Sequence, residues 1–188
     1  MRNNENTFVL SAVLFVITAV VALMLSLADS VTADKIAENT VKAQNEARAY
    51  VMSGATEFEF VKSSETDIVR EVYTAKSADK NLGWCVSVAP NGYGGEIEFI
   101  VGIDPEFKTT GIKIVNMSET PGLGAKAGEE KFSSQFDGKD ASNGLSVIKS
   151  GSAADNEILA ISGATVTSQA IKEGVNAAVE AVKGGSAE

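Results

Sequence analysis

The chain has 188 residues and is acidic, with 16 lysines and arginines against 25 aspartates and glutamates, no histidine and one cysteine. The missing histidine excludes a Ser-His-Asp triad, a Cys-His pair and imidazole ligation of zinc or haem. One cysteine cannot form an intrachain disulfide or hold an iron–sulfur cluster, and a net charge of −9 argues against a nucleic-acid-binding surface. Demanding chemistry therefore requires a bound cofactor.

Residues 8–28 form an uncharged apolar run, FVLSAVLFVITAVVALMLSLA. As a helix they extend about 31 Å, which matches a hydrocarbon core of about 30 Å. A cleaved signal peptide is the alternative, because the small residues at 31–33 resemble a cleavage site, but the run is longer than the usual apolar region of about 7–15 residues. We therefore predict a retained transmembrane anchor.

The orientation of this anchor is predicted from the lengths of its flanking segments, because the lysines and arginines on its two sides give almost no preference. Arg2 lies on one side and Lys35 and Lys42 on the other. A short flank before a long domain favours a cytoplasmic N-terminus in the plasma membrane. The predicted order is a cytoplasmic segment at 1–7, the anchor at 8–28, a juxtamembrane helix at 29–55 and an extracytoplasmic domain at 56–188.

The remaining pattern predicts an α+β domain. Apolar residues at three- and four-residue steps predict a helix from residue 33 to about 52, and a final helix with Ile171, Val175, Ala178, Val179 and Val182 on one face. Between them the sequence predicts a short helix at 129–136 and strands at 68–74, 84–88, 96–103, 111–117, 145–149 and 158–161. Consecutive strands joined by short turns indicate an antiparallel sheet flanked by helices.

The tetrapeptide Ser-Gly-Ala-Thr occurs twice, at 53–56 and at 162–165. The second copy follows the strand predicted at 158–161 and precedes the final helix. Free backbone N–H groups and the helix dipole favour an anion such as phosphate at that position. Simple capping of the helix by Thr167 or Ser168 is the alternative.

Three motifs together resemble the FMN-binding-domain family. Residues 161–168, ISGATVTS, are similar to its flavinylation motif, and residues 119–124, ETPGLG, to a characteristic loop. Residues 92–97, GYGGEI, and 101–104, VGID, are similar to a strand and a turn of the same family. Their order after an anchor and a helix resembles the G subunit of Rnf ion-translocating electron-transport complexes. The sequence departs from the family at Leu159, where Asp is usual.

This resemblance implies that Thr165 carries FMN covalently, through a phosphoester bond made by a flavin transferase. It implies a cofactor-binding site formed by Ser162, Gly163, Ala164, Thr167, Ser168, Glu119, Thr120, Pro121, Gly122, Leu123, Gly124 and Tyr93. Thr56, in the first tetrapeptide, lacks the preceding strand and the Val-Thr-Ser continuation, so we do not expect it to be modified. The protein would relay electrons among other membrane subunits in ferredoxin- and NAD-linked ion transport. Neither a catalytic residue of its own nor a metal site is expected.

Other interpretations remain open at this point. Residues 122–127 formally fit a dinucleotide fingerprint, although Pro121 stands where a strand should lead into the turn. A second flavoprotein class, the C subunit of sodium-translocating NADH:quinone reductases, is usually longer, and an anchored scaffold without flavin is a third interpretation. Trp84 and Cys85 are expected in the strand core. The acidic surface is either simply solvated or suited to a basic redox partner.

Overall fold

A computed structural model of the protein describes residues 2–63, 68–78 and 80–185. The chain divides into two compact units, residues 1–42 and 43–188. Met1 of the predicted N-terminal segment and residues 64–67, 79 and 186–188 of the predicted domain lie outside the described residues.

Helix α1 runs from Arg2 to Val51 and contains the predicted anchor. Side chains 8–28 are all exposed, and within the described residues this is the helix that is long and apolar enough to cross a membrane. The Thr18 hydroxyl donates to the carbonyls of Leu14 and Phe15, each at 3.0 Å. Bonding within the helix removes the need for water at that hydroxyl, as a lipid environment requires.

The C-terminal unit is built on a five-stranded sheet whose spatial order follows the chain, and every neighbouring pair is antiparallel. This confirms the predicted fold class. The strands are β1 (Glu57–Ser63), β2 (Val69–Ser77), β3 (Lys80–Val88), β4 (Ile97–Ile103) and β5 (Thr109–Met117). The sequence pattern did not predict β1, an edge strand whose side chains are mostly exposed, because such a strand needs no apolar alternation.

Shorter elements follow β5. A 3-10 turn at Gly124–Gly128 leads into helix α2 (Glu130–Ser133) and a second 3-10 turn at Ser134–Phe136. Strands β6 (Ser146–Ile148) and β7 (Glu157–Leu159) pair with each other in parallel, in a separate sheet. The prediction of antiparallel pairing is therefore wrong for these two strands. Residues 149–156 return the chain to the end at which β6 begins, so β7 runs in the same direction as β6. Helix α3 (Thr165–Gly185) completes the fold.

The five-stranded sheet separates two apolar layers. Helix α3 packs against β2, β3 and β4 on one face, and its predicted apolar residues are at most 3% exposed. On the other face, the end of α1 and the residue after it pack against the sheet. Ala47, Val51 and Met52 form a cluster there with Ala75, Cys85 and Ile100. Alternation along the strands sends neighbouring side chains to opposite faces. The packing of α3 on the sheet fixes the position of its first turn.

Trp84 and Cys85 both lie in β3 and belong to the core. Burial raises the pKa of the Cys85 thiol to about 12, which leaves it chemically inert at neutral pH. The partly buried Trp84 ring stacks on Phe107, with ring centroids 6.2 Å apart. Neither side chain lies in the candidate site described next.

Candidate cofactor-binding site

Thr165 is the first residue of α3 and directly follows a tight turn. The Ala164 N–H donates to the Ile161 carbonyl at 2.9 Å, and the Ser168 N–H donates to the Ala164 carbonyl at 3.1 Å. Gly163 has a φ of +79°, a backbone conformation that favours glycine. Because β7 ends at Leu159, the segment has the predicted order of strand, turn and helix.

The hydroxyls of this segment differ in availability. Thr167 is fully buried and donates to Glu119 Oε2 at 2.8 Å. Ser168 is also fully buried; its Oγ accepts from the Ile161 N–H at 2.9 Å and donates to the Ala164 carbonyl. Neither hydroxyl caps α3, because both residues already lie within its first turn. Thr165 is partly buried, and its hydroxyl has no hydrogen-bond partner in the part of the chain that the structure describes.

The first turn of α3 also offers backbone donors. The N–H groups of Thr165, Val166 and Thr167 precede the first intrahelical bond and therefore have no acceptor within the helix. None of them donates to another group among residues 2–63, 68–78 and 80–185. Together with the helix dipole, they form an environment suited to a phosphate group next to the Thr165 hydroxyl.

Glu119 connects three segments beside this turn. The residue is buried, with 8% of its surface exposed. Oε1 accepts from the backbone N–H groups of Tyr93 and Gly94 at 2.8 and 3.0 Å, while Oε2 accepts from Thr167. The carboxylate therefore holds the turn at 92–95, the loop at 119–124 and the start of α3 together.

Two glycines make room for this carboxylate. A Cβ on Gly124 would lie 2.1 Å from Glu119 Oε2, and a Cβ on Gly92 would lie 2.2 Å from Oε1. Real Cβ atoms do not approach that closely, so any side chain at either position would displace the carboxylate. These glycines of the two motifs therefore allow close approach of a protein side chain, a requirement that the sequence pattern did not predict.

The three segments enclose a cavity of about 610 Å³. Its lining contains members of all three motifs: Tyr93, Glu119, Thr120, Leu123, Gly124, Gly163, Ala164, Thr165, Val166 and Thr167. All but one of these residues were predicted from the motifs. The exception is Val166, which is 54% exposed. Its position directly after Thr165 could have indicated that it lines the site.

The other predicted site residues lie outside this lining. Pro121 and Gly122 are exposed in the loop. Ser168 is buried and bonds to the turn. Ser162 is exposed and lines a separate cavity of about 290 Å³. Leu159 lines that second cavity too, and its backbone N–H and carbonyl are both bonded to the Gln135 side chain.

The larger cavity suits a flat, partly apolar cofactor that carries a phosphate. Its volume, about 610 Å³, falls within the common range of about 300–1,000 Å³ for small-molecule sites. Tyr93, Leu123 and Val166 offer exposed apolar surface. The lining has no lysine or arginine, so an anion there would rely on backbone amides.

Comparison with known proteins agrees with this geometry. The family model of the FMN-binding domain matches residues 92–180. The chain is 38% identical to the G subunit of the Na(+)-translocating ferredoxin:NAD(+) oxidoreductase complex of Acetobacterium woodii, over 92% of this chain and 90% of that protein. It is 36% identical to the G subunit of the proton-translocating ferredoxin:NAD(+) oxidoreductase complex of Clostridium ljungdahlii, over 81% of this chain and 78% of that protein.

A solved structure shares the fold. The C subunit of the Na(+)-translocating NADH-quinone reductase of Parabacteroides distasonis superposes with a TM-score of 0.57, covering 77% of this chain and 90% of its own. Sequence identity in this pair is 21%, so the likeness is one of fold alone.

The C-terminal unit thus contains an FMN-binding domain at residues 92–180. The two relatives match across most of both chains, and they identify a narrower family. The chain belongs to the G-subunit family of ion-translocating oxidoreductase complexes. This confirms the family predicted from the three motifs, which is better supported than the alternative of a reductase C subunit.

Proposed function

We propose that the chain is a membrane-anchored electron carrier of an ion-translocating complex, with FMN joined through a phosphoester to Thr165. The observation that carries the proposal is the unpaired Thr165 hydroxyl in the wall of a cavity of about 610 Å³, next to unpaired amides, within the part of the chain that the structure describes. Bound FMN supplies one- and two-electron transfer, chemistry that the side chains of this protein lack.

Each part of the lining has a proposed task. The amides of Thr165, Val166 and Thr167 hold the phosphate. Tyr93, Leu123 and Val166 pack against the isoalloxazine ring, which suits their apolar and exposed side chains. Glu119 and the glycines keep the three segments in place. The hydroxyls of Thr167 and Ser168 act as internal supports and leave Thr165 as the attachment point.

The proposal includes a membrane arrangement and partners. Residues 8–28 of α1 form the anchor, with 1–7 in the cytoplasm, a juxtamembrane segment at 29–55 and the FMN-binding domain at 56–188 outside the cytoplasm. Because its relatives are named as subunits of a complex, we propose that this chain also works together with other subunits. The overall process would be ferredoxin- and NAD-linked electron transport. A flavin transferase attaches the cofactor, and covalent linkage prevents its loss where free FMN is not replenished.

The attachment is tested with the full chain co-expressed with a flavin transferase. After denaturation in SDS, the wild-type band should fluoresce, and its intact mass should exceed that of the bare chain by FMN less one water. T165A should lose both signals. T56A is the matched control, because Thr56 ends the other Ser-Gly-Ala-Thr segment and should leave both signals unchanged. Fluorescence retained by denatured T165A would show that the site is wrong.

The orientation is tested with S152C, which introduces a thiol at an exposed position of the C-terminal unit. A membrane-impermeant maleimide added to spheroplasts should label S152C. The parent chain is the control, because its buried Cys85 should not react. Labelling of S152C only after permeabilisation would reverse the proposed orientation.

A further inference from the structure

Glu119 is the charged residue of the cavity lining, and its surroundings supply only hydrogen-bond donors. Two are backbone amides and one is the Thr167 hydroxyl. In all three hydrogen bonds an oxygen of Glu119 is the acceptor, which is the role that a carboxylate plays. No lysine or arginine forms an ion pair with Glu119 within the described residues.

The position of this charge matters for a cofactor in the cavity. Thr167, which donates to Glu119, lies two residues after Thr165 in the same helical turn. Glu119 is 8% exposed, so water screens the charge of its carboxylate weakly. A group held at Thr165 and along the lining therefore experiences a fixed negative charge that no cation among the described residues neutralises by an ion pair.

From this arrangement we infer that Glu119 lowers the reduction potential of the bound FMN, besides positioning the turn at 92–95 and the start of α3. The inference rests on the proposed function. Full reduction of FMN by two electrons and one proton adds one negative charge to the ring. A nearby carboxylate opposes that added charge, which makes reduction less favourable.

The experiment compares variants of the FMN-loaded full chain by dithionite titration, with the midpoint potential read from the flavin absorbance. E119Q keeps the size of the side chain but removes its charge, and its midpoint should be more positive than that of the wild type. E119D keeps the charge on a shorter side chain, so its midpoint should shift less than that of E119Q. A purely structural role predicts the reverse, because E119D disturbs the hydrogen bonds more than E119Q does.

E106Q is the matched control for loss of one glutamate charge. Glu106 is exposed in the turn before β5, whereas Glu119 follows the end of β5, so the two residues lie at opposite ends of that strand. E106Q should leave the midpoint unchanged. An E119Q midpoint equal to that of the wild type, or a shift that E106Q reproduces, would overturn the inference. Failure of the proposed function would instead appear in the intact mass of the wild-type chain.

T167V provides a second route should E119Q not acquire FMN. It removes one donor from the carboxylate while retaining the charge. A less neutralised carboxylate should shift the midpoint in the negative direction, opposite to E119Q. A positive or absent shift in T167V would contradict the inference.

The positioning role has a readout that needs no flavin. In the full chain expressed without the transferase, E119A should accelerate hydrogen exchange in the peptide that contains Tyr93 and Gly94 by about tenfold or more, because two charge-assisted hydrogen bonds are lost. Exchange at the wild-type rate would show that Glu119 does not hold this turn.

Discussion

The backbone N–H of Ile161 donates to Ser168 Oγ across 2.9 Å, and Ser168 donates in turn to the Ala164 carbonyl. This pair closes the turn that carries the Ser-Gly-Ala-Thr motif onto the helix behind it. Because Ser168 is fully buried, water cannot replace either bond. The geometry at Thr165 therefore depends on a hydroxyl three residues further along the chain.

S168A should destabilise the C-terminal unit by about 1–3 kcal/mol, because it leaves a buried amide without a partner. The measurement is urea unfolding of the full chain in detergent, followed by the fluorescence of the single tryptophan, Trp84. S162A is the control, since Ser162 is exposed, and it should unfold at the wild-type urea concentration. Equal midpoints for the two variants would contradict the role assigned to Ser168.

G124A should destabilise the same unit by about 1–3 kcal/mol. The new Cβ would meet Glu119 Oε2 at 2.1 Å and Thr167 Oγ1 at 2.7 Å, so the two side chains would have to separate. G184A is the matched control, because a Cβ there meets nothing within 4 Å, and alanine favours a helix over glycine. The same unfolding assay distinguishes them, and a G124A midpoint at or above that of G184A would show that the carboxylate moves without cost.

Arg48 anchors the end of α1 on the sheet. Its guanidinium lies 3.8 Å from the Tyr73 ring centroid, and its terminal nitrogens donate to Asn45 at 2.8 Å and Glu71 at 3.4 Å. A lysine keeps the charge but loses the flat stacking surface and the forked donors. R48K should therefore lower the free energy of unfolding by about 1–3 kcal/mol.

R70K is the control for R48K. Arg70 is about half exposed, where it donates to Glu96 at 3.0 Å, and an exposed pair of this kind contributes about 0–1 kcal/mol. Chemical unfolding monitored by Trp84 should show R70K close to the wild type. Equal losses in R48K and R70K would indicate that stacking on Tyr73 adds nothing.

Cys85 should make stability depend on pH in the alkaline range. Burial raises the pKa of its thiol from an ordinary 9.0 to about 12. Below pH 9 the thiol is protonated in the folded and unfolded chains alike, so its full contribution is present. As pH rises from 9 towards 12, only the unfolded chain releases this proton, and the free energy of unfolding falls.

The measurement for Cys85 is the slope of unfolding free energy against pH between 9 and 12, compared with C85A. The alanine variant lacks the thiol, so its slope should be shallower, whatever its absolute stability. Parallel slopes would show that the thiol ionises equally well in the folded chain. In addition, a maleimide at pH 8 should label the wild-type thiol only after urea is added, since the thiolate is the reactive form.

Patterns in the sequence predicted the parts of the fold that depend on local periodicity. The apolar face of α3, from Ile171 to Val182, is visible at helical spacing because one side packs against a sheet. Four strands of the sheet are apolar enough to recognise. Edge strand β1 and the parallel pairing of β6 with β7 were missed, because their identity depends on distant partners rather than on their own residues.

The candidate site, too, could be predicted only in part from the sequence. The motifs predicted which segments come together, and most of the cavity lining follows from them. They did not predict what each hydroxyl does: Thr165, Thr167 and Ser168 lie within four residues, yet only the structure distinguishes the available one from the two engaged in internal bonds. Likewise, the sequence motif predicts Glu119 as a cofactor contact, whereas its side chain forms hydrogen bonds to two other segments of the protein, the turn at 92–95 and the start of α3.

The order of elements along the chain bears on the timing of cofactor attachment. All five strands of the main sheet are encoded between residues 57 and 117, while Thr165 and the helix that covers the sheet come afterwards. During synthesis the segment that contains Thr165 is therefore the last part of the candidate site to leave the ribosome. Its place in the wall of the cavity is complete only once α3 has packed against the sheet. A flavin on Thr165 would thus mark molecules that have completed folding, so that immature copies would enter the complex, if at all, without a redox centre.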